Sequence, residues 1–541
     1  MLKELLKYFL FLSSLATAAQ PLTKPDGSQW WKETVFYEIY MPSFQDSDGN
    51  GYSDFNGMTS RLDYLQDIGI KGIWLTPFLV SPKVDNGYDV ADYYAVDPVY
   101  GSLDHFKTFL AESHKRGIKV IMDMVLNHTS TECSWFKESR KSRDNPYRDY
   151  YIWRDHPNNW ESFFGGSAWK EDSLTHQYYY HKFDYRMADL NWSNPKVVEE
   201  IQKVLRYWLS LGVDGFRLDV INFLTTDGIT SDNPLVNGKQ EHSFDISQPG
   251  VINAIQLIKA TVNEFPNRFV VGEIGSDKLD VLAKYQSPEL MDVVFNFNFG
   301  SMPSFSVSRI FDELQKMDQQ QAGFPTLFFG SHDMPRLMDR LAGGEPARAK
   351  ALAALMLTAK GVPFVYYGEE IGMQNITANT PGEIIDIQGK THYQLALQEG
   401  KSPGEALRIG NENNRDKSRS PMQWDNSLNA GFTLGKPWIK VSESYKRMNV
   451  QQSQKDTNSL LNTYKALLAL RNNEKALQYG TYEQLELKND MISFTREYQS
   501  DRIAVFINFG NATTIQLPSN AKILRGNSTL EKNSFLIYLN P

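Results

Sequence analysis

The sequence has a single cysteine, Cys133, among 541 residues. One thiol cannot form an intrachain disulfide or supply a cysteine-based zinc site, so any bound metal ion must take oxygen or imidazole ligands. Basic residues are also outnumbered, because 56 Lys and Arg stand against 64 Asp and Glu, for a net charge of −8. This acidic balance argues against nucleic acid or an anionic membrane surface as partner. It favours a neutral or cationic ligand.

Long hydrophobic runs are absent, since no stretch reaches the roughly 20 apolar residues needed to cross a bilayer. The N-terminus combines Lys3 and Lys7 with an apolar run from Tyr8 to Leu15, and Ala16-Thr17-Ala18 follows as a small-x-small pattern. This order predicts a signal peptide at 1–18 and a mature protein that is periplasmic or secreted, with no membrane span after cleavage. An amphipathic N-terminal helix is the alternative, since Glu4 is unusual in a basic leader.

From Trp30 onward, short apolar runs alternate with longer stretches of helical period, as in repeated βα units around a parallel sheet. At about 150 residues per domain, the chain is long enough for two to four domains. Eight runs are predicted to be strands: Val35 to Tyr40, Gly72 to Leu75, Val120 to Met124, Gly215 to Leu218, Phe269 to Gly272, Val293 to Phe297, Thr326 to Phe329 and Pro363 to Tyr367. They predict an α/β fold, a (β/α)₈ TIM barrel.

Two stretches break this alternation. Residues 127–187 are aromatic and polar without helical period, and they are too long for a structureless loop, so they predict an inserted subdomain after the third strand. Near the C-terminus, short alternating runs predict a small antiparallel β domain. We therefore expect a barrel at 27–126 and 188–454, the inserted subdomain at 127–187 and a C-terminal β-sandwich at 473–541.

Polar side chains gather where the predicted strands end, which is where a TIM barrel places its active site. The set is Asp85, Tyr88, Asp89, Asp123, Asn127, His128, Arg217, Asp219, Glu273, His332 and Asp333. No cysteine or serine stands in evident reach of a base, so the set favours acid–base and carboxylate-nucleophile chemistry. Any one of these carboxylates could instead cap the helix that follows it.

Cleavage of a glycosidic bond needs one carboxylate at the anomeric carbon and one protonated carboxyl at the leaving oxygen. Asp219 and Glu273 can fill these roles. Arg217 shares a strand face with Asp219 and is expected to keep it ionised, whereas the apolar run before Glu273 is expected to raise the pKa of that carboxyl. Opposed environments would thus separate the base from the acid.

A candidate metal loop lies earlier in the chain. Oxygen ligands alternate at Asp46, Asp48, Asn50 and Asp54, Tyr52 can contribute its backbone carbonyl, and Gly51 stands at the sixth position, as in a calcium loop. Position twelve is a glycine rather than the glutamate of an EF-hand. The loop therefore predicts a lone structural Ca²⁺ site, with a metal-free hairpin turn as the alternative.

Taken together, the motifs resemble the α-amylase family of retaining glycoside hydrolases, in its oligo-1,6-glucosidase and α-glucosidase branch. The resemblance spans nearly the whole chain after the leader. It is specific in four motifs, which read Asp123-Met-Val-Leu-Asn127-His128, Gly215-Phe-Arg217-Leu-Asp219-Val220-Ile-Asn222, Val271-Gly272-Glu273 and Ser331-His332-Asp333-Met-Pro-Arg336.

The resemblance implies a role for each of these positions. Asp219 matches the nucleophile, Glu273 the general acid/base, and Asp333 the third carboxylate, which binds sugar hydroxyls. The first glucose subsite is implied to comprise Asp85, Tyr88, His128, Arg217, His332 and Arg415, with Phe164 and Phe183 as aromatic walls. The metal loop matches one that carries calcium in this branch. Exposed arginines such as Arg415 could instead form only salt bridges.

The sequence indicates the substrate specificity less clearly than the catalytic roles. Val220 resembles the choice of enzymes that favour α-1,6 bonds, although it could simply pack in the core, and Met187, Ser331 and Met334 depart from the branch's pattern. We expect a monomeric exo-acting α-glucosidase that acts on short α-glucosides. A transglucosidase or sucrose isomerase is the alternative within enzymes. A non-catalytic transporter-partner ectodomain is the alternative outside them.

Overall fold

A computed structural model describes residues 29–320 and 323–540. The predicted signal peptide at 1–18 lies outside the described residues and stays a prediction. Eight parallel strands form one sheet: β1 (Phe36–Ile39), β2 (Gly72–Leu75), β3 (Lys119–Met124), β4 (Gly215–Leu218), β5 (Phe269–Gly272), β6 (Val293–Val294), β7 (Thr326–Leu327) and β8 (Val362–Tyr366). Their order, β6-β5-β4-β3-β2-β1-β8-β7, is that of a nearly closed barrel and confirms the predicted fold.

The barrel is closed by side chains where β6 and β7 meet. Within the described residues these two strands form no ladder with each other, and each is only two residues long. The hydroxyl of Thr326 bridges them, accepting from the backbone N–H of Asn296 at 3.0 Å and donating to the carbonyl of Val294 at 3.1 Å. The predicted sixth strand was longer, because its apolar run continues into a separate short helix, Phe297–Gly300.

An outer layer of helices covers the barrel. They are α1 (Leu62–Ile68), α2 (Leu103–Lys115), α3 (Pro195–Ser210), α4 (Val251–Asn263), α5 (Leu279–Lys284), α6 (Val307–Gln320), α7 (Pro346–Thr358) and α8 (Leu460–Asn473). Each buries an apolar stripe against the strands, as in α3, whose start is set by the Asn194 cap and Pro195. A helical hairpin, Ile387–Gln398 and Pro403–Glu412, is inserted after β8. No helix in the described ranges is long and apolar enough to span a membrane.

The chain between β3 and α3 forms small sheets of its own. Strand His128–Ser130 pairs with Met187–Asp189, and a three-stranded antiparallel sheet joins Trp153–Arg154, Tyr178–Tyr180 and Trp169–Glu171. A buried cluster of aromatic side chains, including Trp160, Trp169 and Tyr180, supports it. This small cluster is separate from the main core, whereas other buried side chains of the segment, such as Phe136 and Tyr179, belong to the main core.

The C-terminal part is an antiparallel sheet of β9 (Thr481–Lys488), β10 (Met491–Tyr498), β11 (Asp501–Asn508), β12 (Lys522–Gly526) and β13 (Ser534–Leu539). Its order is β9-β10-β11-β13-β12. The alternation did not predict β12, because β12 is an exposed edge strand whose side chains show no apolar face. Buried Arg496 joins the sheet to the barrel by donating to the carbonyl of Thr358, 2.7 Å away, at the end of α7.

Candidate active site

Asp219 and Glu273 lie side by side, one residue beyond the carboxyl ends of β4 and β5. The backbone N–H of Asp219 donates to Met124 O at 3.2 Å, and that of Glu273 donates to Leu218 O at 2.9 Å. These bonds extend the barrel ladder past the last strand residues. Because the ladder is continuous here, both carboxylates start from fixed backbone positions at the barrel mouth.

Arg217 is shared by three carboxylates. It stands opposite Asp123 in the register of β4 and β3, and one terminal nitrogen donates to Asp123 at 2.8 Å and to Asp219 at 2.6 Å. Its other terminal nitrogen donates to Glu273. Arg217 and His332 line a small cavity that Asp333 also lines, next to the main cavity of the site. The structure thus places them as partners of the carboxylates.

The predicted difference between the pKa values of Asp219 and Glu273 is largely wrong. Burial raises the pKa of Asp219 to about 6, although Arg217 lowers it, and burial raises the pKa of Glu273 to about 7, although Arg217 opposes this too. Asp219 is buried and the side chain of Glu273 is largely buried, and both bond the same guanidinium. The two environments therefore separate the pKa values only slightly, with Glu273 the weaker acid.

Asp333 has a strongly cationic surrounding. Its carboxylate lies 3.2 Å from His332 Nε2, and it accepts from Arg419 at 3.1 Å and from Arg415 at 3.4 Å. Burial alone would raise the pKa of Asp333, but His332, Arg415 and Arg419 hold it well below its usual range. His332 is in turn oriented by Glu38, 2.6 Å from its Nδ1. The carboxyl of Asp333 is therefore expected to be ionised at neutral pH.

A ring of polar contacts closes the deep end of the site. Tyr88 donates to Asp123 at 3.0 Å and lies 2.7 Å from His332 Nε2. Asp85 is 4% exposed and accepts from Arg415 at 2.5 Å. His128 is 1% exposed, and burial lowers its pKa to about 4, so its imidazole is neutral at pH 7.

These groups surround a cavity of about 320 Å³. The residues that line it are Asp85, Tyr88, His128, Phe163, Phe164, Phe183, Met187, Asp219, Val220, Phe223, Glu273, Gly275, Phe297, Ser301, Asp333, Met334, Gln388 and Arg415. Phe164 and Phe183 meet at a ring distance of 5.6 Å. Asp85 and His128 are buried, whereas Phe163 is 58% exposed. The cavity therefore connects a buried polar part of the site with the solvent-exposed surface at Phe163.

Val220 has a strained backbone in the wall of this pocket. Its φ of 34° and ψ of 44° lie in the left-handed region, which a β-branched residue adopts at a cost of about 1–3 kcal/mol. In this conformation the chain turns directly after Asp219, and the short helix Ile221–Phe223 begins at the next residue. Val220 lines the pocket and also packs on the core. The contacts of Val220 are thus compatible with both interpretations, a role in specificity and packing in the core.

Several residues of the site were not predicted. Phe163, Phe223, Phe297, Ser301 and Gln388 line the cavity. Asp386, which accepts from Arg415 at 2.6 Å, lies in an aperiodic insertion, and no local pattern marks it. Arg419 lies four residues after Arg415 and bonds the same carboxylate of Asp333, so its closeness to Arg415 in the sequence is the signal that could have indicated it.

The predicted metal loop lies outside the pocket. Carboxylate oxygens of Asp46, Asp48 and Asp54 come within 4.8 Å of one another. Asn50 donates from its side chain to Asp48 at 3.2 Å, and its Oδ1 accepts from the N–H of Tyr52 at 2.7 Å. The loop is thus a compact, all-oxygen cluster of negative charge.

Comparisons with known proteins agree with this geometry. The sequence profile of the α-amylase catalytic domain matches residues 38–480. The chain is 39% identical to an oligo-1,6-glucosidase of Parageobacillus thermoglucosidasius, covering 91% of this chain and 92% of the relative. It is 37% identical to trehalose-6-phosphate hydrolase of Escherichia coli K12, over 94% and 95% of the two chains.

A similar solved structure is the trehalulose synthase of Pseudomonas mesoacidophila MX-45. The TM-score is 0.87 at 34% identity, over 95% of this chain and 100% of that one. The fold, the strand-end carboxylates and these relatives lead to the same assignment. The chain belongs to the α-amylase family and is a glycoside hydrolase of the α-glucosidase type.

Proposed function

We propose that the protein is an exo-acting, retaining α-glucosidase that removes glucose from the non-reducing ends of short α-glucosides. The observation that carries the proposal is the placement of Asp219 and Glu273, which share one guanidinium, in the wall of a pocket that also contains the buried side chains of Asp85 and His128. In the proposed arrangement these buried polar groups end the pocket, so that it admits only a terminal sugar unit. The bond to be cleaved would then fall beside the two carboxylates.

In the proposed first step, Asp219 attacks the anomeric carbon while Glu273 gives its proton to the leaving oxygen. Both carboxylates bond the terminal nitrogens of the same guanidinium, so they lie close together. Retaining enzymes hold this pair at about 5–5.5 Å, whereas inverting enzymes need about 6.5–9.5 Å to admit a water molecule. The shared Arg217 therefore supports retention. Water deprotonated by Glu273 then attacks the glucosyl-Asp219 ester and releases α-glucose.

The closed end offers a complement for one glucose ring. Asp85, Asp333 and Arg415 can accept from or donate to its hydroxyls, and the low pKa of Asp333 keeps that acceptor charged. Phe164 and Phe183 offer apolar faces beside them. This combination of fixed charges and aromatic walls is typical of a saccharide pocket.

The proposal is tested by incubating the purified protein with isomaltose and with maltose while NMR follows the anomer first released. We expect α-glucose from both sugars, with isomaltose preferred because Val220 follows the nucleophile. The reducing-end glucose is released as its equilibrium mixture of anomers, so initial β-glucose in excess of that share would contradict the retaining mechanism. Release of maltose or longer sugars from a maltooligosaccharide would contradict exo-action.

Phosphorylated substrates are expected to be poor. Among the described residues that line the pocket, Arg415 is the one cation, and it is already paired with Asp85, Asp333 and Asp386. A phosphate dianion needs a free cationic partner once water is excluded. We expect kcat/KM for trehalose-6-phosphate to be roughly 100-fold or more below that for isomaltose. Equal or faster hydrolysis of the phosphate ester of trehalose would contradict a neutral substrate class.

Transfer of the glucosyl group to a sugar is a second candidate function. It shares all the carboxylates, and the structural similarity to a trehalulose synthase favours it. The two functions differ only in whether water or a hydroxyl of the departing sugar reaches the glucosyl-Asp219 ester. Incubation with sucrose separates them, since an isomerase yields a new disaccharide and a hydrolase yields free glucose and fructose.

The pH dependence of kcat/KM is expected to be a narrow bell. Asp219 must be ionised, so activity rises as pH rises through its pKa of about 6, and Glu273 must be protonated, so activity falls as pH rises through about 7. The two groups share Arg217, so the limbs belong to the pair. A pH–rate profile on isomaltose measures both limbs. A broad plateau extending well above pH 8 would contradict the assignment of Glu273 as the acid.

We further propose that the metal loop binds a structural Ca²⁺. The donors fit, because Asp46, Asp48 and Asp54 supply clustered hard oxygen ligands. The loop is tied to the late segment of the barrel, since Asp46 N donates to Phe432 O and Trp438 N donates to Gly51 O, each at 3.0 Å. An ion here would neutralise the carboxylates and stabilise that contact.

Removal of calcium is therefore expected to lower Tm by several degrees, because a ligand bound only to the folded state stabilises it. Thermal unfolding with EGTA and with added Ca²⁺ measures the shift. Asp48→Ala should abolish the shift, whereas Asp104→Ala, at an exposed aspartate of α2, should retain it. The same Tm with and without Ca²⁺ would contradict the site.

A further inference from the structure

Among the described residues, the barrel sheet has no backbone ladder between β6 and β7. Strands β6 and β7 are held there by the side chain of Thr326 instead of a backbone ladder. The segments that follow these two strands carry Phe297, Ser301 and Met334 to the pocket wall. Their relative position must therefore be set by contacts beyond the barrel sheet.

Arg340 supplies those contacts. One terminal nitrogen donates to Met302 O, and the other donates to Gly300 O at 2.9 Å and to Phe329 O at 2.6 Å. That second nitrogen also lies 3.4 Å from the sulfur of Met334. Gly300 and Met302 flank Ser301 on the segment after β6, and Phe329 follows β7. A single guanidinium thus joins the two segments across the junction of β6 and β7.

The donors of Arg340 are directed to backbone acceptors. Its Nε donates to Pro335 O at 3.3 Å, and within the described residues its guanidinium forms no ion pair. The planar fork of arginine can reach several carbonyls in fixed directions, which the single ammonium of lysine cannot reproduce. The contacts of Arg340 therefore hold backbone segments in fixed relative positions. The side chain itself does not line the pocket.

We propose that Arg340 is a positioning residue for the leaving-group half of the pocket: it fixes Ser301 and Met334 across the β6–β7 junction and so determines which aglycones are accepted. The proposal rests on the proposed glucosidase function. Most of the glucose-binding part is built from the other side of the barrel, around Asp85, His128 and Phe164, and Asp333, which follows β7, is held separately by Arg415, Arg419 and His332. Loss of the Arg340 hydrogen bonds should therefore leave binding of the glucose ring unchanged.

The test compares two substrates that share the glucosyl unit and differ in the leaving group. Isomaltose places a sugar against Ser301 and Met334, whereas α-glucosyl fluoride has a single atom there. For Arg340→Met we expect kcat/KM on isomaltose to fall about 10- to 100-fold, with α-glucosyl fluoride changed by less than about threefold. Arg340→Lys should lie between the wild type and Arg340→Met, and the isomaltose-to-maltose preference should shift in both variants.

Arg348→Met is the matched control. This nearby arginine is also largely buried, donates to Ala342 O at 3.2 Å and lies over the ring of Phe305, but among the described residues it contacts none that lines the pocket. It should lower Tm without changing the substrate ratio. If Arg340→Met does not fold, Arg340→Lys carries the same comparison. An equal fall on both substrates, or no change on either, would overturn the proposal. Failure of the wild type to cleave either substrate would instead overturn the proposed function.

Discussion

Replacement of Asp219 by asparagine is expected to lower kcat on isomaltose roughly 10⁴-fold or more, the largest effect of any single substitution. An amide cannot form the glucosyl ester, and it is a neutral neighbour for Arg217 where the wild type has an anion. The side chain stays the same size and can still accept from Arg217. Steady-state hydrolysis with a circular-dichroism check of folding measures the loss.

Chemical rescue distinguishes a lost nucleophile from a distorted site. In Asp219→Ala, azide can enter the vacated space and attack the anomeric carbon of α-glucosyl fluoride, with fluoride leaving and β-glucosyl azide forming. Asp123→Asn is the control, because Asp123 also bonds Arg217 but lies behind the pocket wall. It should be less impaired and should not be rescued. Azide-insensitive Asp219→Ala, or near-normal activity of Asp219→Asn, would contradict the assignment.

Replacement of Glu273 by glutamine is expected to lower isomaltose hydrolysis about 10²- to 10⁴-fold, the usual contribution of a positioned general acid. The sugar leaving group must be protonated as it departs, and an amide cannot supply that proton. Fluoride leaves without such help, so formation of the glucosyl ester from α-glucosyl fluoride should be largely preserved. A burst of fluoride release followed by slow turnover is the expected signature.

The same variant tests the pH assignment. Because Glu273 produces the alkaline limb of the wild-type profile, that limb should be missing when Glu273→Gln acts on α-glucosyl fluoride, while the acid limb from Asp219 remains. Equal loss on isomaltose and on the fluoride would show that Glu273 does something other than donate a proton. Gln388→Ala, in the cavity wall, is a control that leaves both limbs in place.

Much of this site was predictable from local patterns. Runs of apolar, β-branched residues mark buried parallel strands, and a TIM barrel brings all their carboxyl ends to one face. Asp219 and Glu273 could therefore be placed together without knowledge of any contact. The spacing of two residues between Arg217 and Asp219 put both on the same strand face, because side chains alternate along a strand.

The pKa contrast between the two carboxyls was predicted less well, for a definite reason. Arg217 was assigned to Asp219 from their separation along one strand, but the register of β4 with β5 also brings Glu273 to the same guanidinium. Register is a property of strand pairing across the sheet. A pattern along one strand does not contain it.

The sequence by itself determined the barrel, the order of its catalytic carboxylates and the oxygen cluster of the metal loop, because each depends on periodicity or spacing within a short stretch. The tertiary structure was needed to show that Asp85 and His128 are buried in the pocket wall, that Asp386 holds Arg415, and that Arg340 spans the junction of β6 and β7. These features join residues far apart in the chain, and the free energy of such contacts depends on packing that no local pattern encodes.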